Sequence, residues 1–317
     1  MLRVVFMGTP EFAVPSLEAI HSSFNLVAVY TQPDRPVGRG LETRVSPVKA
    51  RAMQWGVPIV QPEKLSQSGQ FEQLQQFKPD VIVVVAYGQI LRRNVLELPP
   101  LGCVNVHSSL LPRWRGAAPI QWALLAGDQA TGVTTMRLVQ ELDAGDILLQ
   151  EKTVISPTDT AGSVHDRLAE IGARLILPTL HGLADKTLAG QSQDVAQVTY
   201  ASKLSKEMEW LDPYRETSAQ LDRKMRALNP WPGTSLMLDQ RLKVKKAHLR
   251  ENIQGQPGVL FEKTGMVLLG TPQGSLELQV VQWEGKKSVD AAGFLNGLRG
   301  KGQKLPLKVG QVDQVAP

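Results

Sequence analysis

A single cysteine, Cys103, stands in a chain of 317 residues. One thiol can form neither an internal disulfide nor a thiolate zinc cluster, and its place within an apolar run makes packing its expected role. Long hydrophobic runs are missing too, since no stretch approaches the ~18 unbroken apolar residues of a membrane helix. The opening MLRVVFMGTP enters a strand at once, without the charged and apolar regions of a secretory leader. A soluble, cytoplasmic protein is the expectation. No second histidine lies at metal-ligand spacing from His107, so no metal is expected. A dinucleotide fingerprint is absent as well: the first strand ends MGTPEF, with Pro10 where a second glycine should follow Gly8, which argues against a nicotinamide cofactor. Nor does a G-x-S-x-G elbow surround Ser108 and Ser109, so they read as loop residues rather than nucleophiles.

What is there fits an ordinary globular protein, 42% hydrophobic and 21% charged, and long enough for two domains. Residues 1–155 alternate apolar runs with amphipathic segments. Arg3–Gly8, Leu26–Gln32, Asp80–Ala86 and Gly102–His107 read as strands, and Val14–His21 and Phe71–Phe77 have helical spacing. That alternation implies an α/β domain with a mostly parallel, doubly wound sheet of Rossmann-like type. Gly132–Val139 and Ile147–Ile155 form an expected strand pair around QELDAGD, and a helix over Thr160–Leu183 buries Val164, Leu168, Ile171, Leu175 and Leu180. We divide the chain into a domain over 1–203, a linker over 204–213 and a second domain over 214–317. In the last, a helix over Thr217–Leu228 precedes five short strands (Ser235–Asp239, Leu242–Leu249, Gly258–Lys263, Gly265–Thr271, Ser275–Trp283) and a helix over Val289–Leu298. Five short strands point to a small β-barrel of the OB type.

Charge is unevenly spread. Of 35 Lys+Arg and 30 Asp+Glu in all, residues 206–317 hold 17 and 12, so the whole net charge of +5 lies in the C-terminal third. A polyanion partner is expected there. RLKVKKAHLR contributes Lys245 and Lys246, and LRGKGQK contributes Arg299 and Lys301. A second basic segment, TQPDRPVGRGLETRVSPVK, strings Arg39, Arg44 and Lys49 along a Gly- and Pro-rich loop. It is either a solvated loop or an arm that tracks phosphates.

The sharpest feature is VNVHSSLLPRWRG. Side chains two apart on a strand share a face, so Asn105 and His107 stand side by side where the strand runs out. They could simply tie down the loop that follows. At the carboxyl end of a strand in a doubly wound sheet, however, two convergent polar groups mark a site. LDAGDIL adds carboxylates at Asp143 and Asp146, one of which could hold the imidazole in a tautomer and balance its protonated form. Asn, His and Asp without a nucleophile suit acyl transfer to an amine that brings its own lone pair. Asn105 and His107 would donate to the oxyanion of a tetrahedral intermediate, and Asp143 would help move the proton.

On these residues the chain resembles the folate-dependent formyltransferases. VNVHSSLLPRWRGAAPIQWALLAGD and LDAGDIL carry the resemblance, extended by VVFMGTPEFA, VVVAYGQIL, TQPDRP, TYASKLSKE and NPWPG across nearly the whole chain. The resemblance implies Asn105, His107 and Asp143 as the catalytic trio, Ser109, Leu110, Leu111 and Pro112 as the folate loop, and 10-formyltetrahydrofolate as co-substrate. It is nearest to the members that formylate the amino group of an initiator methionyl-tRNA, acting as a monomer with no membrane partner. It then implies RNA contacts at Arg39, Arg44, Lys49, Lys203, Lys206, Lys245, Lys246, Arg299 and Lys301. A small amine such as an amino sugar nucleotide or a purine precursor is the alternative acceptor. The Lys-Lys pair that often follows GRG in that family is Leu41-Glu42 here, and its usual small residue after the histidine is Ser108.

Overall fold

The computed structural model describes residues 1–37 and 42–311, with backbone alone at 36, 37 and 42–44. Arg39 lies outside the described residues. The chain forms two compact units. One comprises Met1–Pro119, Ala130–Val154 and Val164–Ala201; the other comprises Ile120–Gln129, Ile155–Ser163 and the residues from Ser202 on.

The first unit is built on a seven-stranded sheet: β1 (Arg3–Gly8), β2 (Asn25–Tyr30), β3 (Ile59–Val60), β4 (Val81–Val85), β5 (Cys103–His107), β6 (Ala130–Arg137) and β7 (Ile147–Val154), in the order β7-β6-β5-β4-β1-β2-β3. Strands β1 to β5 run parallel, while β6 and β7 are antiparallel to their neighbours. The cause is legible in composition. Every residue of VIVVV in β4 is buried, as are all but the first of RVVFMG in β1, so both faces are covered and the strands can be apolar throughout. The chain passes from β3 back across β1 to β4, which opens a crevice beyond the carboxyl ends of β1 and β4. The helix Ala161–Ala184 buries the five residues expected of it. In the basic segment after β2, where a loop was expected, Arg35–Val37 and Glu42–Arg44 pair as an antiparallel ribbon.

The second unit carries an antiparallel sheet of OB type: β8 (Thr234–Met237), β9 (Arg241–Arg250), β10 (Val259–Lys263), β11 (Met266–Gly270), β12 (Ser275–Trp283), β13 (Val289–Asp290) and β14 (Leu307–Lys308), in the order β8-β9-β12-β11-β10-β14 with β13 on β12. The five expected strands are present with two short additions. The last helix begins at Ala291 rather than Val289, because Val289–Asp290 pairs with β12 and the Asp290 carboxylate caps the helix by accepting from Gly293 N–H at 2.8 Å. At the other helix, Thr217 and Gln220 form a reciprocal capping box that starts Ser218–Ala227. Leu221, Leu242, Leu260, Leu276 and Phe294 fill the core beneath the sheet.

Cys103 lies in β5 and is 2% exposed, and burial pushes its thiol up to about 12. Thiolate is the reactive form, so the folded protein should resist a thiol-directed reagent at pH 8 and react fully once unfolded. Rapid labelling of the native protein would contradict the packing role. Among the described residues, no helix is long and apolar enough to cross a membrane.

Candidate active site

β5 pairs with β4 on one side and β6 on the other, and this fixes its last residues: Asn105 lies opposite Met136 and His107 opposite Thr134. The imidazole of His107 is buried. Its Nε2 lies 2.9 Å from the carbonyl oxygen of Trp114. A carbonyl only accepts, so that bond places a proton on Nε2 and leaves Nδ1 as the working nitrogen. Nδ1 faces Oδ2 of Asp143 at 3.8 Å, close enough for charge balance and too far for a direct hydrogen bond. Asn105 is half-buried, and no hydrogen bond joins its side-chain amide to another described residue. His107 and Asp143 therefore meet, and Asn105, two residues before His107 on β5, shares its face of the strand with an amide still unspent.

Asp143 sits in the long turn between β6 and β7 with φ of +49°, a left-handed conformation that aspartate tolerates better than most residues. Its Oδ2 accepts the backbone N–H of Gly116 at 2.8 Å. Gly116 itself has φ of +120°, and a Cβ there would stand 2.6 Å from the carbonyl oxygen of Ala201, so only glycine fits. The WRG of the motif thus supplies two backbone groups to the site: the Trp114 carbonyl orients the imidazole and the Gly116 amide orients the carboxylate. Asp143 was expected to hold the tautomer of His107; the Trp114 carbonyl holds it instead. Side-chain pattern alone has no signal for a backbone donor or acceptor. Asp146, the other carboxylate of the turn, accepts from the Ser192 hydroxyl at 3.2 Å and does not join the group.

The expected folate loop is turned partly inward. Ser109 is fully buried, its hydroxyl donating to the Arg113 carbonyl at 2.6 Å and its carbonyl accepting from Thr134 Oγ1 at 2.7 Å. Leu111 is buried as well, its N–H bonded to Thr134 Oγ1 at 3.1 Å and its carbonyl to Gln150 Nε2 at 2.9 Å. Leu110 packs over Gly132, and a cis peptide joins Leu111 to Pro112. Ser109 and Leu111 shape this loop, while Leu110 and Pro112 are its half-buried members.

The basic residues scatter by role. Lys49 is engaged in an ion pair with Asp34, whose carboxyl is held below the usual range by hydrogen bonds from Lys49 and Gln61. Lys49 therefore anchors the base of the ribbon. Arg44 ends the ribbon's second strand. Lys203 and Lys206 are exposed. In β9 the ladder runs Val244↔Val281 and then Lys246↔Val280, so Lys245 is the extra residue of a bulge. Strict alternation would send Lys245 and Lys246 to opposite faces; with the bulge, both are exposed. Arg299 and Lys301 are exposed near the end of the last helix, with Lys301 Nζ 5.0 Å from the centroid of the Trp283 ring.

The formyl transferase family model matches residues 2–180, and the model of the formyl transferase C-terminal domain matches residues 203–299. Among curated relatives, a methionyl-tRNA formyltransferase of Methylococcus capsulatus is 46% identical over 306 residues, covering 96% of this chain and 99% of that one. One from Pseudomonas syringae pv. syringae is 47% identical over 303 residues, covering 95% and 96%. Among solved structures, the sugar 3N-formyl transferase WlaRD superposes with a TM-score of 0.66 at 18% identity, covering 90% of this chain and 99% of that one. HypX from Aquifex aeolicus superposes with a TM-score of 0.62 at 18% identity, covering 96% and 48%; these likenesses are of fold.

Proposed function

The chain belongs to the formyl transferase family, and we propose that it transfers the formyl group of 10-formyltetrahydrofolate to the α-amino group of methionyl-tRNA. The observation that carries this reading is the buried pairing of His107 with Asp143 beside the unspent amide of Asn105, in a chain similar to methionyl-tRNA formyltransferases from end to end. The amine attacks the formyl carbon, and the carbonyl pair moves onto oxygen. Asn105 donates from its amide to that oxyanion, and His107, in its doubly protonated form, donates from Nδ1–H. The imidazolium is balanced by the Asp143 carboxylate and held by the Trp114 carbonyl. Asp143, directly or through water, takes the proton that the attacking nitrogen sheds and returns it to N10 of the folate. N10 leaves as the tetrahedral centre collapses. Tetrahydrofolate and formyl-methionyl-tRNA are the products, and no covalent enzyme intermediate is needed.

In our reading residues 1–203 carry this chemistry, 204–213 form the link, and 214–317 hold RNA. Phosphate contacts fall to Arg39, to Arg44 on the ribbon that Lys49 anchors, to Lys203 and Lys206, and to Lys245, Lys246, Arg299 and Lys301. Ser109, Leu110, Leu111 and Pro112 form the folate loop. The acceptor is the initiator tRNA, and the enzyme acts as a cytoplasmic monomer. Incubation with labelled 10-formyltetrahydrofolate tests this against four acceptors: charged initiator tRNA, charged elongator tRNA, free methionine and an amino sugar nucleotide. Label should pass to the charged initiator alone. Transfer to the sugar with the tRNA inert would overturn the reading.

A further inference from the structure

The turn that carries Asp143 has little to hold it. Leu142 is 63% exposed, Asp143 is left-handed, and the turn is too open to be fixed by apolar packing. Its backbone carbonyls are instead held from outside. The side-chain amide of Gln193 donates from Nε2 to the carbonyl oxygen of Asp143 at 2.8 Å and to that of Gly145 at 2.7 Å. The same amide accepts at Oε1 from Arg115 Nε at 3.0 Å and from Arg115 Nη2 at 2.8 Å. Both N–H groups and both lone pairs are thus spent. The orientation follows from chemistry, because a flipped amide would set oxygen against two carbonyls and nitrogen against a guanidinium. Arg115 is buried, and no carboxylate pairs with it among the described residues, so this bidentate grip is the principal use of its side chain.

Neighbouring residues extend the hold. Gln191 exchanges backbone hydrogen bonds with Ile147 at 2.8 Å each, and Thr199 accepts from both backbone N–H groups of Trp114 and Arg115 at 2.9 Å. Residues 191–199 therefore strap the Asp143 turn at one end and the Trp114–Gly116 loop at the other. These two loops orient His107 and Asp143.

We propose that Gln193, fixed by Arg115, is a positioning residue for the reaction: it locks the turn so that the Asp143 carboxylate stays between Gly116 N–H and His107 Nδ1. This rests on the formyl-transfer reading above. Gln193 touches no reacting atom and acts through Asp143. Without its two donors the left-handed turn relaxes and carries the carboxylate off its mark, and a displacement of about 1 Å is enough to cost up to 100-fold in rate.

Gln193→Ala and Gln193→Glu test it together. Glutamate keeps the acceptors for Arg115 and gains an ion pair with it, yet has no N–H for the turn. Both variants should lose roughly 10- to 100-fold in kcat, with KM for each substrate within about threefold of wild type and the Tm of Gln193→Glu undiminished. In an Asp143→Asn background, followed under single-turnover conditions, Gln193→Ala should cost less than about twofold more, since the carboxylate it positions is gone. The proposal is overturned if Gln193→Glu turns over within twofold of wild type, if its KM and Tm deteriorate in step with kcat, or if the full loss recurs in the Asp143→Asn background. A wild-type protein that formylates no methionyl-tRNA would remove the functional reading and this proposal with it; active wild type with unimpaired variants would remove this proposal alone.

Discussion

His107→Ala should lower kcat for formyl transfer by two or more orders of magnitude while leaving folate affinity near normal. Three losses coincide at one side chain. The developing oxyanion loses a donor, worth about 2.7–4 kcal/mol when well placed, or a factor of 100 to 1,000. The Trp114 carbonyl loses its partner, and the Asp143 carboxylate loses the imidazole nitrogen that faces it at 3.8 Å. None of these is a ground-state contact to the pterin, so the change belongs in kcat rather than in folate binding. Single-turnover formylation, with folate titrated separately, checks both halves. Turnover at the wild-type rate would show that the imidazole plays no part in the chemistry. A parallel loss of folate affinity would move His107 into the binding site instead.

Much of this was legible before any coordinates, and the reason is periodicity. A two-residue repeat put Asn105 and His107 on one face of β5, and the near-continuous apolar runs VVFM and VIVVV announced strands covered on both sides. What the pattern could not announce were contacts made by backbone atoms across long stretches of chain. Asp143 meets Gly116 over 27 residues, and Gln193 meets Asp143 over 50. Neither spacing has a local period, and a glutamine in a polar segment looks like any solvated glutamine. The ribbon Arg35–Val37/Glu42–Arg44 was hidden for another reason: Gly and Pro in TQPDRPVGRG signal a loop, and three-residue strands leave no alternation to count. Likewise, strict alternation gives no sign that Lys245 and Lys246 are both exposed, because a bulge separates them in the ladder. Such insertions break the very repeat by which a strand is recognised.

That pair of lysines supports the second large effect, a steep dependence of tRNA binding on salt. Each phosphate neutralised releases condensed counterion, and log K falls with log salt by about 0.9 for every contact on a duplex. If only four of the proposed lysines and arginines touch the acceptor arm, raising salt from about 50 to 200 mM should weaken binding roughly 100-fold. KM for tRNA should climb with it, while kcat at saturation stays level. Lys245→Ala/Lys246→Ala should flatten the slope of that plot by about 2, because both side chains are exposed and their loss removes charge without disturbing the leucines and valines beneath β9. Transfer to a small amine makes no such demand, since an amino sugar has no phosphate backbone to track along residues 206–317. A KM indifferent to salt, or a double variant with an unchanged slope, would therefore detach the basic C-terminal third from RNA binding. The chemistry at His107 would be left intact.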